Sequence, residues 1–197
     1  MDLKIDELKN KEGKVFAEML SFLGASQEDI LPGKFRNFRG EKRKAPDGRI
    51  VNDEGVRSFN LSLNSLPIEA VDSLAALKIR IKELPPKNDE YGDEPLRFVK
   101  VNVAYGGKIP PELYLVLNGK KKLLTQGELG LLDGSRYNCV DMTIRTYHRD
   151  ADTCTLYLQN AYFELEQDPV AAKYASLEVD SYLGNSVTDE REPLPFD

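Results

Sequence analysis

The sequence predicts a mainly β protein of the α+β class. Apolar and polar residues alternate along residues 57–63 and 96–105, as expected of half-buried strands. Asn118-Gly119 is typical of a tight hairpin turn. Two long alternating segments, Tyr137–His148 and Cys154–Leu165, flank a polar turn at residues 149–152 and predict a larger hairpin. Together these segments supply enough strands for a sheet with one buried face.

The N-terminus, by contrast, predicts a helix over residues 5–23, within an N-terminal helical segment of residues 1–33. Its apolar residues fall near helical spacing, and Gly24 provides a stop. The apolar face would pack in the core, or it would bind a partner or a second copy of the chain. The apolar residues concerned are Leu8, Val15, Phe16, Met19, Leu20 and Leu23.

Residues 34–49 reverse the acidic balance of the chain. Seven basic residues stand here against Glu41 and Asp47, although the net charge of the 197 residues is -6. We expect a strand over residues 34–39 and a long polar loop over 40–55. Cations interleaved with Phe35 and Phe38 suit a single-stranded nucleic acid, whereas a solvated basic loop is the simpler alternative. The two rings would then stack on bases or pack in the core.

Basic residues recur on two further predicted strands. Residues 77–82 alternate, so Lys78, Arg80 and Lys82 would share one face, although such lysines also protect sheet edges from pairing. In residues 96–105 the valines share one face, and Phe98, Lys100 and Asn102 share the other. The remaining predicted elements are short helices over 67–74, 124–132 and 169–175 and a strand over 113–117.

The large hairpin would present Arg145, Tyr147 and Tyr157 outward. Its register separates Cys139 from Cys154, placing them near Tyr162 and Tyr147 respectively, so we expect both thiols to be reduced. One histidine and two cysteines cannot build a structural zinc site without carboxylate ligands. We therefore predict no metal and no cofactor.

Several functional classes lack support in the sequence. There is no phosphate-binding loop of the GxxxxGK[ST] type and no GxSxG motif, so we expect no catalytic activity. No apolar run approaches the roughly 20 residues of a membrane helix, and the charged N-terminus does not resemble a signal peptide. These observations favour a cytoplasmic protein without a membrane partner.

Residues 176–197 predict a flexible acidic tail. Arg191 is the one basic residue among six acidic ones, and the apolar tip Leu194-Pro195-Phe196 follows the acidic run. We expect this tail to compete with nucleic acid for the basic groups. Nucleic acid would release it, and its tip would then bind a partner protein.

Five segments carry a resemblance to a known family. In order and spacing they are similar to the phage and mobile-element proteins predicted to be single-stranded DNA-binding proteins with an OB-like fold. The resemblance implies an OB-like β-barrel domain over residues 34–175. The tail is similar in kind to that of bacterial single-strand binding proteins, although the last residue is Asp197 rather than Phe. The segments are FRNF (35–38), GVRSFNLSL (55–63), GDEPLRFVKVNVAYG (92–106), GLLDGSRYNCVDMTIRTYH (130–148) and TLYLQNAYFELEQDPVAAKYA (155–175).

The sequence thus predicts sequence-independent, non-catalytic binding of single-stranded DNA in phage or mobile-element replication or recombination, in the host cytoplasm. The tail would recruit replication or recombination proteins, and the N-terminal helix or a sheet edge could make a homodimer. The alternative is a protein-interaction module, such as a phage structural or accessory protein. Candidate nucleic-acid-binding residues are Phe35, Arg36, Phe38, Arg39, Lys42, Arg43, Lys44, Lys78, Arg80, Lys82, Lys100, Arg145, Tyr147 and Tyr157.

Overall fold

Twelve strands and two short helices make up the computed structural model, which describes residues 1–86, 94–107, 109–150 and 152–166. The helices are α1 (Ile68–Ala76) and α2 (Leu131–Gly134). The strands are β1 (Asp2–Lys9), β2 (Val15–Ala25), β3 (Arg36–Asn37), β4 (Arg43–Lys44), β5 (Ile50–Asn52), β6 (Arg57–Ser62), β7 (Lys82–Leu84), β8 (Leu96–Val103), β9 (Glu112–Leu117), β10 (Lys120–Leu123), β11 (Tyr137–His148) and β12 (Cys154–Leu165).

Ten of these strands form one mixed sheet that is open at both ends. The main order is β1-β2-β11-β12-β8-β6-β3, with β7 paired to β8, β9 to β12, and β10 to β9. Strand β12 runs parallel to both β8 and β9, and the other pairs are antiparallel. A closed barrel would require the end strands to pair, and in the described residues β1 and β3 do not. The predicted OB-like β-barrel is therefore wrong, whereas the mainly β class is confirmed.

The N-terminal residues form a hairpin, not the predicted helix. Strands β1 and β2 pair in antiparallel fashion from Asp2↔Leu23 to Lys9↔Val15, and Gly13, at a φ of +78°, lies in the turn between them. Strand β2 also pairs with β11, where Leu20 lies opposite Ile144. The apolar residues of β2 satisfy helical and strand periodicity alike. The pairing with β11, which is distant in sequence, decides between them.

The basic stretch is more ordered than the predicted strand and loop. A 3-10 turn occupies Gly33–Phe35, and β3 contains only two residues. Within the supposed loop, β4 and β5 form a separate two-stranded hairpin. The Asn52 side chain donates to the carbonyls of Glu41 (3.0 Å) and Val56 (2.9 Å), so side-chain amides replace regular pairing at the base of this hairpin.

Two other predicted elements differ in extent. The strand expected over 77–82 begins only at Lys82, because α1 is followed by a turn in which Lys78 has a φ of +61° and Ile79 makes a single bridge to Cys154. Lys78, Arg80 and Lys82 therefore do not share a strand face. The helix expected over 124–132 is reduced to the four residues of α2 after a series of turns. The helix expected over 169–175 lies outside the described residues.

The core lies on one face of the sheet. Inward residues of β2, β6, β8, β11 and β12 form one buried cluster together with Val71 and Leu74 of α1 and Leu132 of α2. Cys139 lies opposite Glu164 and Cys154 opposite His148, and both cysteines are free. No helix in the described ranges has the length and apolarity needed to cross a membrane. The opposite face of the sheet remains partly open to solvent.

Candidate nucleic-acid interface

A groove of about 230 Å³ lies on the face of the sheet opposite the core, near the β4–β5 hairpin. The polar side chains of Ser58 and Asn60 on β6 contribute to its wall, because their neighbours Phe59 and Leu61 point into the core. Four cations and two aromatic rings also line it, and its lining includes no carboxylate. The cations are Lys34, Arg43, Lys82 and Lys100, and the rings are Phe35 and Phe98.

Arg43 fastens the hairpin beside this groove. Its guanidinium donates to the carbonyl oxygens of Arg36 (2.6 Å) and Lys34 (3.0 Å). These bonds orient the side chain and leave its positive charge unneutralised. Arg43 therefore helps to shape the groove and adds to its positive charge.

The lysines of the groove carry charge without a local counterion. Lys34, Lys82 and Lys100 make no ion pair within the described part of the chain. Partial burial, together with the nearby charge of Lys82, lowers the pKa of Lys100. An anion in the groove would relieve this repulsion, so the site is electrostatically suited to phosphate.

The two phenylalanines of the FRNF segment have different environments. Phe35 is half-buried and meets Phe98 edge-to-face at 5.6 Å, with the Lys34 ammonium 5.3 Å from its ring. Phe38 is fully buried and stacks on Phe59 at 5.2 Å. Phe35 can thus offer a ring to a ligand, whereas Phe38 belongs to the core.

Arg36 lies in the core and cannot reach a phosphate, contrary to its place among the sequence candidates. It is 3% exposed, and its guanidinium donates to the carbonyls of Leu132 (3.2 Å) and Ile30 (3.3 Å). It also lies over the ring of Tyr137, 5.6 Å from the centroid. The sequence predicted a strand over residues 34–39 with Arg36 available to a phosphate; the strand in the structure has only two residues, and both are buried.

The other basic candidates lie outside the groove. Arg39 is exposed and pairs with Glu41 at 3.0 Å. Lys42 and Lys44 are exposed at the β4–β5 hairpin, and Lys78 and Arg80 are exposed after α1. Because none of these side chains lines the groove, they could contribute only to its surrounding field.

The outward residues of the large hairpin form a second aromatic patch. Arg145 lies opposite Tyr157, and the rings of Tyr147 and Tyr157 meet edge-to-face at 6.3 Å. The Arg145 guanidinium lies 5.4 Å from the ring centroid of Phe16, a residue that the sequence assigned to a helix. The structure thus brings these three predicted residues together and adds Phe16.

Asn102 connects the groove with this patch. It is the partner of Ser58 on one side and of Tyr157 on the other, and its amide donates to the Leu156 carbonyl at 3.1 Å. Along β8, Lys100 lies two residues before it on the same face. The outward face is therefore continuous from the basic groove to the aromatic patch.

Several groove residues were absent from the sequence candidates. The alternation of β6 and β8 contains the signal for Ser58, Asn60 and Phe98, because each alternates with the inward-facing residues of its strand. Lys34 belongs to the basic stretch but was not singled out. No sequence pattern indicated that Asn52 lines the groove, because its position depends on the β4–β5 hairpin. The proposed partner-binding tip, Leu194, Pro195 and Phe196, lies outside the described residues.

A protein-family model matches the chain. It is described as "Putative phage ssDNA-binding domain" and matches residues 29–190. No curated protein matches the chain, and no solved structure matches it. The match covers most of the sequence and includes all the residues that line the groove.

Proposed function

Because the chain belongs to the phage ssDNA-binding domain family, we propose that it binds single-stranded DNA through the basic groove and the adjoining sheet face. The observation that carries this proposal is the lining of the groove, where four cations lie with a half-buried ring and no carboxylate is present. Lysine and arginine neutralise phosphates, and a ring such as Phe35 stacks on an unpaired base. Bases in a duplex are already stacked, so the same groove would favour single strands.

We further propose that binding does not depend on base sequence. The groove amides that could read base edges are already engaged by the backbone. Asn60 donates to the Phe35 carbonyl at 2.9 Å, and Asn37 donates to the Glu41 carbonyl at 3.0 Å while accepting from the Glu41 amide at 2.9 Å. Stacking and phosphate contacts remain, and both tolerate any base.

In this proposal the protein is a non-catalytic binder of single-stranded DNA during phage or mobile-element replication or recombination in the host cytoplasm. Its role would be to cover exposed strands, and its acidic C-terminal residues would recruit partner proteins. The groove is basic and residues 176–197 are acidic, and this difference supports separate roles in DNA binding and in partner recruitment.

Lys100→Gln tests the assignment of the groove. We expect weaker binding to fluorescent oligo-dT, and the slope of log affinity against log salt should fall by about 0.7 for each phosphate that the variant no longer neutralises. The pKa of Lys100 is lowered in the folded protein, so its charged form is less favourable there than in the unfolded chain. The variant should therefore fold at least as stably as the wild type at neutral pH.

Lys11→Gln is the matched control, since it makes the same charge change in the exposed turn between β1 and β2, at the other edge of the sheet. The control should bind like the wild type. Equal salt slopes in all three proteins would show that Lys100 neutralises no phosphate and would overturn the placement of DNA in the groove.

A further inference from the structure

Tyr114 and Tyr162 form a partly exposed pair of stacked rings outside the groove. Their residues are direct partners on the parallel strands β9 and β12. The ring centroids lie 4.9 Å apart and the rings are 6° from parallel. The Tyr114 hydroxyl donates to Glu112 at 2.7 Å, which fixes the ring, and both side chains remain partly exposed.

A bulge in β12 puts this pair on the same face as the groove. The register with β11 shifts between Thr143↔Asn160 and Ile144↔Leu158, so Gln159 is an extra residue. Leu158 and Ala161 both point into the core as a result. Without the bulge, strict alternation would place Tyr157 and Tyr162 on opposite faces; with it, both point outward.

The pair also lies in line with the groove. Strands β8, β9 and β12 run in the same direction, and Asn102 lies beside Tyr157. The line from Phe98 along β8 and then along β12 to Tyr162 covers eight steps of the strand ladder, because the bulge adds no step of its own, or about 26 Å at roughly 3.3 Å per step. A strand at the duplex spacing of roughly 3.4 Å would need about eight nucleotides to span it, and a more extended single strand would need fewer.

Lys121 of β10 supplies a cation at this second position. Its ammonium lies 4.9 Å from the ring centroid of Tyr114 and 5.6 Å from that of Tyr162. Both distances are within the roughly 6 Å of a cation–π contact, so the ammonium lies against the stacked pair. Lys121 makes no ion pair in the described ranges, whereas the neighbouring Lys122 is held by Glu128 at 2.6 Å.

We propose that Tyr114, Tyr162 and Lys121 form a second subsite for single-stranded DNA, in which a base stacks on the tyrosine pair and Lys121 binds the adjacent phosphate. This inference rests on the proposed function and extends it. The groove binds one part of the strand, and the subsite binds nucleotides further along the face. Because the rings are already fixed, little side-chain freedom is lost on binding.

Two oligonucleotides of different length distinguish binding at the subsite from binding in the groove. A dT4 strand covers the groove alone, whereas dT15 reaches both. We expect Tyr162→Leu to weaken binding of dT15 at least fivefold, as expected for the loss of about 1–3 kcal/mol of base stacking. The same variant should bind dT4 like the wild type.

Lys121→Gln provides a second test that leaves the tyrosine stack in place, and Lys120→Gln, an exposed neighbour on the same strand, is its control. Only the Lys121 variant should lower the salt slope for dT15, by about 0.7. If Tyr162→Leu does not fold, the lysine pair decides the matter.

The outcomes distinguish the two proposals. Wild-type protein that binds neither oligonucleotide would overturn the proposed function. Wild-type protein that binds dT15, with no selective loss in the Tyr162 and Lys121 variants, would retain the function and eliminate the subsite. The tyrosine pair would then only join β9 to β12.

Discussion

Arg36 illustrates how one residue can change its expected role once its burial is known. Its guanidinium donates to the carbonyls of Ile30 and Leu132 inside the protein, so it joins the segment before β3 to α2. The buried cation is stabilised by these carbonyl dipoles and by the ring of Tyr137. Arg36 therefore supports the fold of the basic stretch instead of contacting its ligand.

Replacement of Arg36 by Met should leave the Ile30 carbonyl without its donor, whereas the Leu132 carbonyl keeps the Tyr137 hydroxyl as a donor. We expect a loss of about 1–3 kcal/mol in the free energy of unfolding, measured by urea denaturation. Arg39→Met, which removes an exposed cation, should cost well under 1 kcal/mol. A folded Arg36 variant with normal stability and a reduced salt slope for DNA binding would contradict the structural role.

Burial patterns explain why single residues in the basic stretch were hard to assign from sequence. Phe35 and Phe38 belong to the same short segment, and the sequence left both open as core or stacking residues. Their roles separate because the Gly33–Phe35 turn leaves Phe35 at the groove, while Phe38 packs against Phe59 and Phe163. No local periodicity contains that information, since β3 has only two residues.

Among the elements, β2 and β11 are joined by a buried polar cluster as well as by their backbone. The carboxylate of Glu18, a residue that is 8% exposed, accepts a hydrogen bond from the Thr146 hydroxyl and lies 2.7 Å from the His148 ring. Burial raises the pKa of Glu18, but the hydrogen bonds from Thr146 and His148 and the charge of His148 outweigh it, and the pKa is lowered overall. The ionised carboxylate thus stabilises the pairing of the N-terminal hairpin with the sheet.

The sign of this shift predicts acid sensitivity. A carboxylate with a lowered pKa contributes stability above its unfolded pKa, near 4.5, and that contribution is lost as pH falls through the folded pKa. Glu18→Gln should therefore be less stable than the wild type at pH 7, by about 1–3 kcal/mol. The difference should shrink as the pH falls below about 4.5, as urea midpoints across that range would show. A difference that stays constant with pH would contradict the assignment.

Element prediction succeeded where the pattern was local and failed where partners were distant. The hairpin of β11 and β12 was predicted with its bounds, because two long, largely alternating segments flank a polar turn. Strand β2 was mistaken for a helix because its apolar residues fit both periods until the pairing with β11 is known. The β4–β5 hairpin depends on Asn52 and Arg43 reaching backbone carbonyls, and sequence alone does not reveal such contacts.

Across the whole molecule, positive and negative charge are segregated. The chain carries a net charge of -6, yet the groove is lined by four cations without an acid. Residues 176–197 contain six acidic residues and one basic residue. This distribution suits a protein in which acidic C-terminal residues and DNA compete for one basic surface.

Deletion of residues 176–197 should therefore tighten binding to oligo-dT at low salt. The gain should diminish at high salt, because screening weakens both the competition and the binding. A deletion variant that binds equally or more weakly would contradict self-competition. Substitution of Leu194 and Phe196 by Ala preserves every acidic residue and should leave DNA binding unchanged.

The most direct test of the central claim is a titration of fluorescent oligo-dT with the full chain at two salt concentrations, with duplex DNA of the same length as competitor. We predict binding that weakens steeply as salt rises and that duplex DNA competes for poorly. Absence of binding at low salt, both for the full chain and after removal of residues 176–197, would contradict the assignment of this protein as a single-stranded DNA binder.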